Sequence, residues 1–210
     1  MSLNPHYIAI EGPIGVGKTT LAHRLADSLD FNLLLEAPEE NPFLGAFYDD
    51  RRAYALQAQL FFLLQRARQV DSLRQKQLFA GGWVTDFMFE KDPMFAALNL
   101  SGPEMKLYEE IYQRLAWQAP VPDCVIYLYA PIERLLERVE LRGRPQEQHM
   151  QRDYLLRVAE SYAEYFSRYD AAPLIRVNAD ALDLVGSERD YARLLEALAS
   201  TERLIDLPAL

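Results

Sequence analysis

The sequence has one cysteine, no long apolar run and no surplus of basic charge. Because Cys124 is alone, a disulfide framework and a cysteine-based zinc site are excluded. Apolar runs such as 60–64 are far too short to span a bilayer, and the N-terminus lacks the basic-then-apolar pattern of a secretory signal. The 22 basic residues are outnumbered by 31 acidic ones, for a net charge of −9, so we expect neither a nucleic acid polymer nor a membrane as partner. These absences predict a cytoplasmic globular protein.

The chain of 210 residues is half hydrophobic and one-quarter charged, which is typical of a folded domain. It has no repeats and no linker-like change of composition, so we treat 1–210 as a single domain. Apolar, β-branched segments predict strands at 7–11, 32–36, 83–86, 124–129 and 174–177. Helical periodicity is found at about 17–29, 51–75, 103–117, 131–142, 150–168 and 187–199. Nearly continuous apolar strands separated by helices indicate an α/β fold, with a five-stranded parallel sheet covered by helices on both faces.

A glycine-rich motif follows the first predicted strand directly. Residues 12–19 match the pattern G-x-x-x-x-G-K-[ST] at every fixed position, and a predicted helix follows at once. Backbone N–H groups in such a loop, with the helix N-terminus behind them, bind phosphate. Lys18 can reach the β- and γ-phosphates, and the Thr19 hydroxyl can bind Mg²⁺. A simple turn between strand and helix is the disfavoured alternative. The motif predicts a bound nucleoside triphosphate contacted by Gly12, Gly15, Val16, Gly17, Lys18, Thr19 and Thr20.

The second and third predicted strands each end on a carboxylate, in the position where ligand-contacting groups gather in parallel sheets. Glu36 ends the second strand and could take the proton from a substrate hydroxyl. A helix cap or a surface acid is an equal alternative, because Glu36 begins an acidic stretch. Asp86 ends the third strand, where an acid often holds Mg²⁺ through water, although aspartate is also a common turn residue. The two positions are candidates for a general base and a metal-binding acid.

Two polar residues interrupt the apolar helix predicted over 51–75. Gln59 lies within the apolar run, and a buried amide needs hydrogen-bond partners. Arg66 follows seven residues later on the same helix face. Together they could bind a planar polar ligand. An amide bonded within the core and an arginine that reaches solvent are an equally good interpretation of the pattern.

Arginines are concentrated near residue 140. Arg138 and Arg142 have no acidic residue three or four positions away, and they neighbour each other at helical spacing. In a chain with surplus carboxylates, this pattern indicates an external anion such as a phosphate group, whose transfer requires nearby positive charge. A solvated basic helix face is the alternative.

The motifs together resemble the deoxyribonucleoside kinase family, which includes deoxycytidine, deoxyguanosine and bacterial deoxyadenosine kinases. The resemblance runs from about residue 7 to residue 166. The segments that carry it are Leu34-Leu35-Glu36, Glu39-Glu40-Asn41-Pro42, Arg142-Gly143-Arg144, Glu147 and Tyr154. The resemblance implies a five-stranded parallel sheet in a three-layer P-loop fold, a homodimer, and ATP and Mg²⁺ as cofactors.

The resemblance also implies roles for residues of the acceptor site. Glu36 matches the general base that deprotonates the 5′-hydroxyl. Gln59 and Asp92 match residues that hydrogen-bond the nucleobase, with Arg66 beside them. Asp86 matches the acid that helps to hold Mg²⁺.

The sugar site and the lid are implied in the same way. Tyr48 and Glu147 match the pair that holds the 3′-hydroxyl. The family's mobile lid, here at about 138–148, closes over the donor phosphates with three arginines, which match Arg138, Arg142 and Arg144.

One segment departs from the family pattern. The family usually has an acid, an arginine and a serine at the end of the third strand, whereas this chain has Asp86-Phe87-Met88. The missing arginine normally lies near the general base. Lys91 is the residue that could supply its charge.

We therefore expect an ATP-dependent kinase of the deoxynucleoside 5′-hydroxyl that acts in nucleotide salvage. Phe62, one turn from Gln59, resembles the bacterial members that prefer purines. A nucleoside monophosphate kinase is the alternative enzyme, and a P-loop switch without acceptor chemistry is the alternative of another class. The expected partners are a deoxynucleoside and a nucleoside triphosphate.

Overall fold

A computed structural model describes residues 5–76, 81–116, 119–200 and 202–207. Within these ranges, the strands form one parallel sheet in the order β2-β3-β1-β4-β5-β6. The strands are β1 Tyr7–Glu11, β2 Asn32–Leu34, β3 Trp83–Thr85, β4 Cys124–Tyr129, β5 Leu174–Asn178 and β6 Leu204–Leu207. The predicted α/β class and the parallel arrangement are confirmed.

The predicted number of five strands is wrong, because β6 extends the sheet at one edge. This strand has only four residues, and three of them are exposed or half-buried. It pairs with β5, and Arg176 of β5 donates two hydrogen bonds to Asp206 of β6. A short edge strand that carries a charge lacks the continuous apolar run by which buried parallel strands are found in a sequence.

The helices cover both faces of the sheet. They are α1 Lys18–Leu29, α2 Leu44–Asp49, α3 Arg51–Lys76, α4 Asp92–Asn99, α5 Gly102–Ala116, α6 Ile132–Arg142, α7 Arg152–Ser167 and α8 Glu188–Ala199. The six predicted helices are found within one or two residues of their predicted bounds, although residue 117 lies outside the described ranges. The short helices α2 and α4 were not predicted from periodicity, which needs more turns than they have.

The core consists of two apolar layers, one on each face of the sheet. Successive residues of β1 alternate between them: Tyr7 and Ala9 belong to one layer, and Ile8 and Ile10 to the other. The first layer packs under α2–α5 and part of α7, and the second under α1, α6 and α8. Both faces of the central strands are therefore buried, which explains their continuous apolar sequences. Among the described helices, none is long and apolar enough to cross a membrane.

The strand order brings the ends of β1, β2 and β3 to one edge of the sheet. Ala9 lies beside Thr85, and Thr85 lies beside Leu34. Because these strands are parallel, the residues that follow them emerge on the same side. The residues that follow are the glycine-rich loop, the segment with Glu36, and Asp86. Residues far apart in the sequence thus meet at one site.

Candidate active site

The phosphate loop joins β1 to α1 in a conformation that requires glycine. Gly12 and Gly15 have φ angles of 148° and 84°. A Cβ atom on Gly12 would lie 2.3 Å from the Leu128 carbonyl oxygen, and one on Gly15 would lie 2.7 Å from the Leu135 carbonyl oxygen. The loop therefore packs directly on β4 and α6. Lys18 Nζ donates hydrogen bonds to the carbonyl oxygens of residues 12 and 13 at 2.7 and 3.2 Å, within the same loop.

A cavity of about 770 Å³ lies beside this loop. It is lined by the loop and α1, by the arginines of the predicted lid, and by the segment 179–185. Arg138 connects these parts, since its guanidinium donates to the carbonyl oxygens of Val16 at 3.0 Å and Ala179 at 2.8 Å. All the phosphate-binding residues expected from the sequence except Gly12 line this cavity: Gly15, Val16, Gly17, Lys18, Thr19 and Thr20.

The arginines of the lid have partners that the helical pattern did not show. Arg142 donates to both carboxylate oxygens of Glu147 at 2.8 and 2.6 Å. The helix ends at Arg142, and Gly143, with a φ of 61°, turns the chain back, so an acid five residues after Arg142 comes within its reach. Arg144 lies 3.8 Å from Glu39. The expectation that Arg142 has no acidic partner is therefore wrong.

Thr19 and Asp86 lie together next to the phosphate loop. The Thr19 hydroxyl donates to Asp86 Oδ2 at 2.6 Å, and the Glu36 backbone N–H donates to Asp86 Oδ1 at 2.8 Å. Within the described residues, no cluster of three or more His, Cys, Asp or Glu side chains could hold a metal ion. The hydroxyl and carboxylate oxygens nevertheless fit Mg²⁺, which is usually held by one or two protein oxygens together with water and substrate phosphates.

A second cavity adjoins the phosphate loop and contains most of the expected acceptor residues. Its lining includes Lys18, Glu36, Tyr48, Arg66, Arg142 and Glu147. Tyr48 and Glu147 are buried, at 8% and 7% exposed. The two groups proposed to hold a sugar hydroxyl therefore border the same space as the phosphate-loop lysine.

Glu36 is held by two cations. Arg66 donates to its Oε1 at 2.7 Å, and Lys91 Nζ is 3.2 Å from the same oxygen. Burial alone would raise the pKa of the Glu36 carboxyl, but Lys91 and Arg66 outweigh it and lower that pKa to about 2. The carboxylate is therefore ionised at neutral pH and can accept a hydrogen bond from a hydroxyl group.

Gln59 and Asp92 lie behind the acceptor cavity and are not among the residues that line it. Gln59 Nε2 donates to Asp92 Oδ1 at 2.7 Å, and Arg66 forms an ion pair with Asp92 Oδ2. Tyr108 donates to Asp92 Oδ1 at 2.8 Å. Arg66 is 3% exposed, so the alternative in which it reaches solvent is wrong. In the structure, Gln59 and Tyr108 hold Asp92, and Asp92 holds Arg66 in position.

Glu11 and Tyr108 are among the groups of the site that were not predicted from the sequence. Glu11 is fully buried at the end of β1 and accepts hydrogen bonds from the Met88 backbone N–H and the Tyr162 hydroxyl. The sequence could have indicated Glu11, because it is a charged residue at the end of an otherwise apolar strand. Tyr108 carried no such signal, because an aromatic residue in an amphipathic helix is ordinary core material.

Comparison with known proteins gives consistent matches over most of the chain. A family model described as "Deoxynucleoside kinase" matches residues 8–202. The chain is 35% identical over 193 residues to a deoxyguanosine kinase of Bacillus subtilis (strain 168), covering 90% of this chain and 93% of that protein. It is 30% identical over 203 residues to a deoxyadenosine/deoxycytidine kinase of the same organism, covering 92% and 91%.

Among solved structures, the chain resembles a deoxyadenosine kinase from M. mycoides with bound dATP. The TM-score is 0.78 at 24% identity, and the match covers 92% of this chain and 98% of that one. At this level of identity, the likeness concerns the fold. It agrees with the P-loop arrangement of a parallel sheet between helices.

Proposed function

The chain belongs to the deoxynucleoside kinase family, and we propose that it transfers the γ-phosphoryl group of ATP to the 5′-hydroxyl of a purine deoxyribonucleoside. One observation carries the proposal: Lys18 and Thr19 of the phosphate loop line the same cavity as the carboxylate of Glu36. A donor phosphate bound by the loop and an acceptor hydroxyl beside Glu36 would therefore be neighbours. Such placement is the main requirement of phosphoryl transfer.

Glu36 would act as the general base. Its ionised carboxylate accepts the 5′-hydroxyl proton while the 5′-oxygen forms a bond to the γ-phosphorus and the bond to the β–γ bridging oxygen breaks. Arg66 and Lys91 both contact Glu36 Oε1, so the carboxylate does not have to reorient during the reaction.

The basic groups of the site would bind the donor phosphates. Lys18 and the arginines of the lid, namely Arg138, Arg142 and Arg144, line the donor cavity and carry the positive charge that the triphosphate requires. Thr19 and Asp86 would hold Mg²⁺, which when bound neutralises charge on the phosphate oxygens. The same arrangement gives the acidic chain, with its net charge of −9, a local basic region.

The proposed purine preference is supported by the deoxyguanosine kinase among the relatives and by the base side of the cavity. By their names, one of the two Bacillus subtilis relatives acts on deoxyguanosine, and the other acts on deoxyadenosine and deoxycytidine. Arg66 and Phe62 line the acceptor cavity, with Gln59 and Asp92 behind Arg66. A fixed guanidinium and an aromatic ring suit a planar base that offers ring acceptors. Tyr48 and Glu147 would hold the 3′-hydroxyl.

A panel of acceptors with Mg·ATP tests the proposal. The panel contains the four deoxynucleosides, the matching ribonucleosides and the deoxynucleoside monophosphates, and product formation is followed by chromatography. We expect purine deoxynucleosides to give the highest kcat/KM. Faster phosphorylation of the monophosphates would instead establish a nucleoside monophosphate kinase.

A homodimer in the cytoplasm is part of the same proposal. Two contacting helices, α3 and α5, expose the apolar side chains of Leu64 and Leu107, which are 44% and 45% exposed. We place the dimer interface on this part of the surface. Light scattering coupled to size-exclusion chromatography would give a mass of twice 24.2 kDa for a dimer and of 24.2 kDa for a monomer.

A further inference from the structure

A buried lysine, Lys91, lies between Glu36, which lines the acceptor cavity, and the fully buried Glu11. It ends a 3₁₀ turn, Phe89–Lys91, that follows β3, and it is 2% exposed. Its Nζ is 3.2 Å from Glu36 Oε1 and 3.5 Å from Glu11 Oε1. A buried ammonium group loses its hydration, and it is tolerated only where carboxylates lie this close. Lys91 therefore takes its position from both acids.

Glu11 is the less accessible of the two acids. It is 0% exposed, and its oxygens accept hydrogen bonds from the Met88 backbone N–H at 2.6 Å and the Tyr162 hydroxyl at 2.9 Å. These bonds fix its carboxylate in place. Glu36 comes within reach of the same ammonium group, so two like charges face each other across Lys91. Without the cation, repulsion from the fixed Glu11 would displace Glu36, which is the more exposed of the two.

The contacts of Glu36 are unevenly divided between its two oxygens. Arg66 and Lys91 both contact Oε1. Within the part of the chain that the structure describes, no hydrogen bond ends on Oε2, and the ion-pair contacts of both cations are to Oε1. Oε2 is therefore the oxygen available to a hydroxyl group in the cavity.

We propose that Lys91 is a positioning residue for phosphoryl transfer: it holds Glu36 Oε1 so that Oε2 faces the acceptor hydroxyl, and it separates Glu36 from Glu11. This inference rests on the proposed function, because it assigns Glu36 the role of general base. Arg66 contacts the same Glu36 oxygen and is itself held by its ion pair with Asp92. Arg66 and Lys91 therefore hold Glu36 together. Phe87, by contrast, is 1% exposed and is not among the residues that line the cavity.

Kinetics of Lys91→Met and Lys91→Arg test this role. Phosphorylation of deoxyadenosine and deoxyguanosine is measured with Mg·ATP, well below the melting temperature of each variant. We expect Lys91→Met to lower kcat about a hundredfold, the size of effect that a small displacement of a catalytic group can have. The KM for ATP should change less than about threefold, because Lys91 does not line the donor cavity. Lys91→Arg should lower kcat less than Lys91→Met does, since it keeps the charge although not the shape of the ammonium group.

A double-mutant cycle separates positioning from a structural role. In the Glu36→Gln background, Lys91→Met should lower kcat less than about threefold, because the group that it positions has lost its function. Lys106→Met, the same change at an exposed lysine of α5, is the matched control and should leave kcat within about twofold of wild type. If Lys91→Met does not fold, the double variant Glu11→Gln/Lys91→Met is used instead, because it also removes the buried charge of Glu11 that Lys91 would have balanced. Its kcat is then compared with that of Glu11→Gln.

Two outcomes would overturn the inference. The first is a kcat of Lys91→Met within threefold of wild type. The second is an undiminished loss in the Glu36→Gln background, which would assign Lys91 a structural role only. A wild-type enzyme that phosphorylates no deoxynucleoside would overturn the proposed function itself, so the two failures are distinguishable.

Discussion

Replacing Asp92 with alanine should destabilise the protein more than any surface change. Asp92 is 0% exposed at the start of α4. Its carboxylate accepts hydrogen bonds from Gln59 and Tyr108 and forms an ion pair with Arg66. The substitution would leave all three donors buried, and one of them, Arg66, carries a full charge whose remaining ion pair among the described residues is with Glu36.

The size of the effect follows from these contacts. Removing one partner of a buried ion pair costs about 3–5 kcal/mol. Each neutral donor left unsatisfied adds about 1–3 kcal/mol, but effects within one network are not additive, because the freed groups rearrange together. We expect the free energy of unfolding to fall by about 4 kcal/mol. For a chain of 210 residues, this corresponds to a fall in Tm of about 8–16 °C.

Urea denaturation followed by circular dichroism measures this loss, with Asp206→Ala as the matched control. Asp206 forms an exposed ion pair with Arg176 at 2.6 Å on the edge of the sheet, and its loss should cost about 0–1 kcal/mol. The loss of unfolding free energy in Asp92→Asn should lie between those of Asp92→Ala and Asp206→Ala, because asparagine keeps an acceptor oxygen but not the charge. An Asp92→Ala variant within about 1 kcal/mol of wild type would refute the reasoning that this network holds Arg66 in place.

Three further predictions concern single groups. Glu36→Gln should lower kcat by about 10²–10⁴-fold with little change in the KM for ATP; near-normal turnover in steady-state assays would remove Glu36 as the base. Tyr48→Phe should reduce the preference for deoxynucleosides over their 3′-deoxy analogues by about tenfold, and an unchanged ratio of kcat/KM values would contradict its assigned contact. Burial raises the pKa of the Cys124 thiol to about 12, so a thiol reagent at pH 8 should label it only after unfolding; rapid labelling of the native enzyme would contradict this.

Local patterns were sufficient for the class of the fold and for the phosphate loop. The phosphate loop was identified by its spacing alone, because glycines and a lysine at fixed positions are required by the turn and by the phosphate. The long helices were found within two residues because their apolar periodicity repeats over several turns. Edge strand β6 and the short helix α2 were missed, because four to six residues cannot establish a period.

The sequence by itself determined the parallel α/β architecture, the phosphate loop and the candidate residues of the acceptor site. Only the tertiary structure decided how those residues pair: Arg142 with Glu147 across the end of α6, and Lys91 with both Glu36 and Glu11. It also placed Gln59 and Asp92 behind Arg66 rather than at the cavity surface. The reason is geometric. Composition and spacing specify which charges a chain carries, but the order of parallel strands decides which charges meet at the ends of the sheet, and burial there determines which of them must be paired.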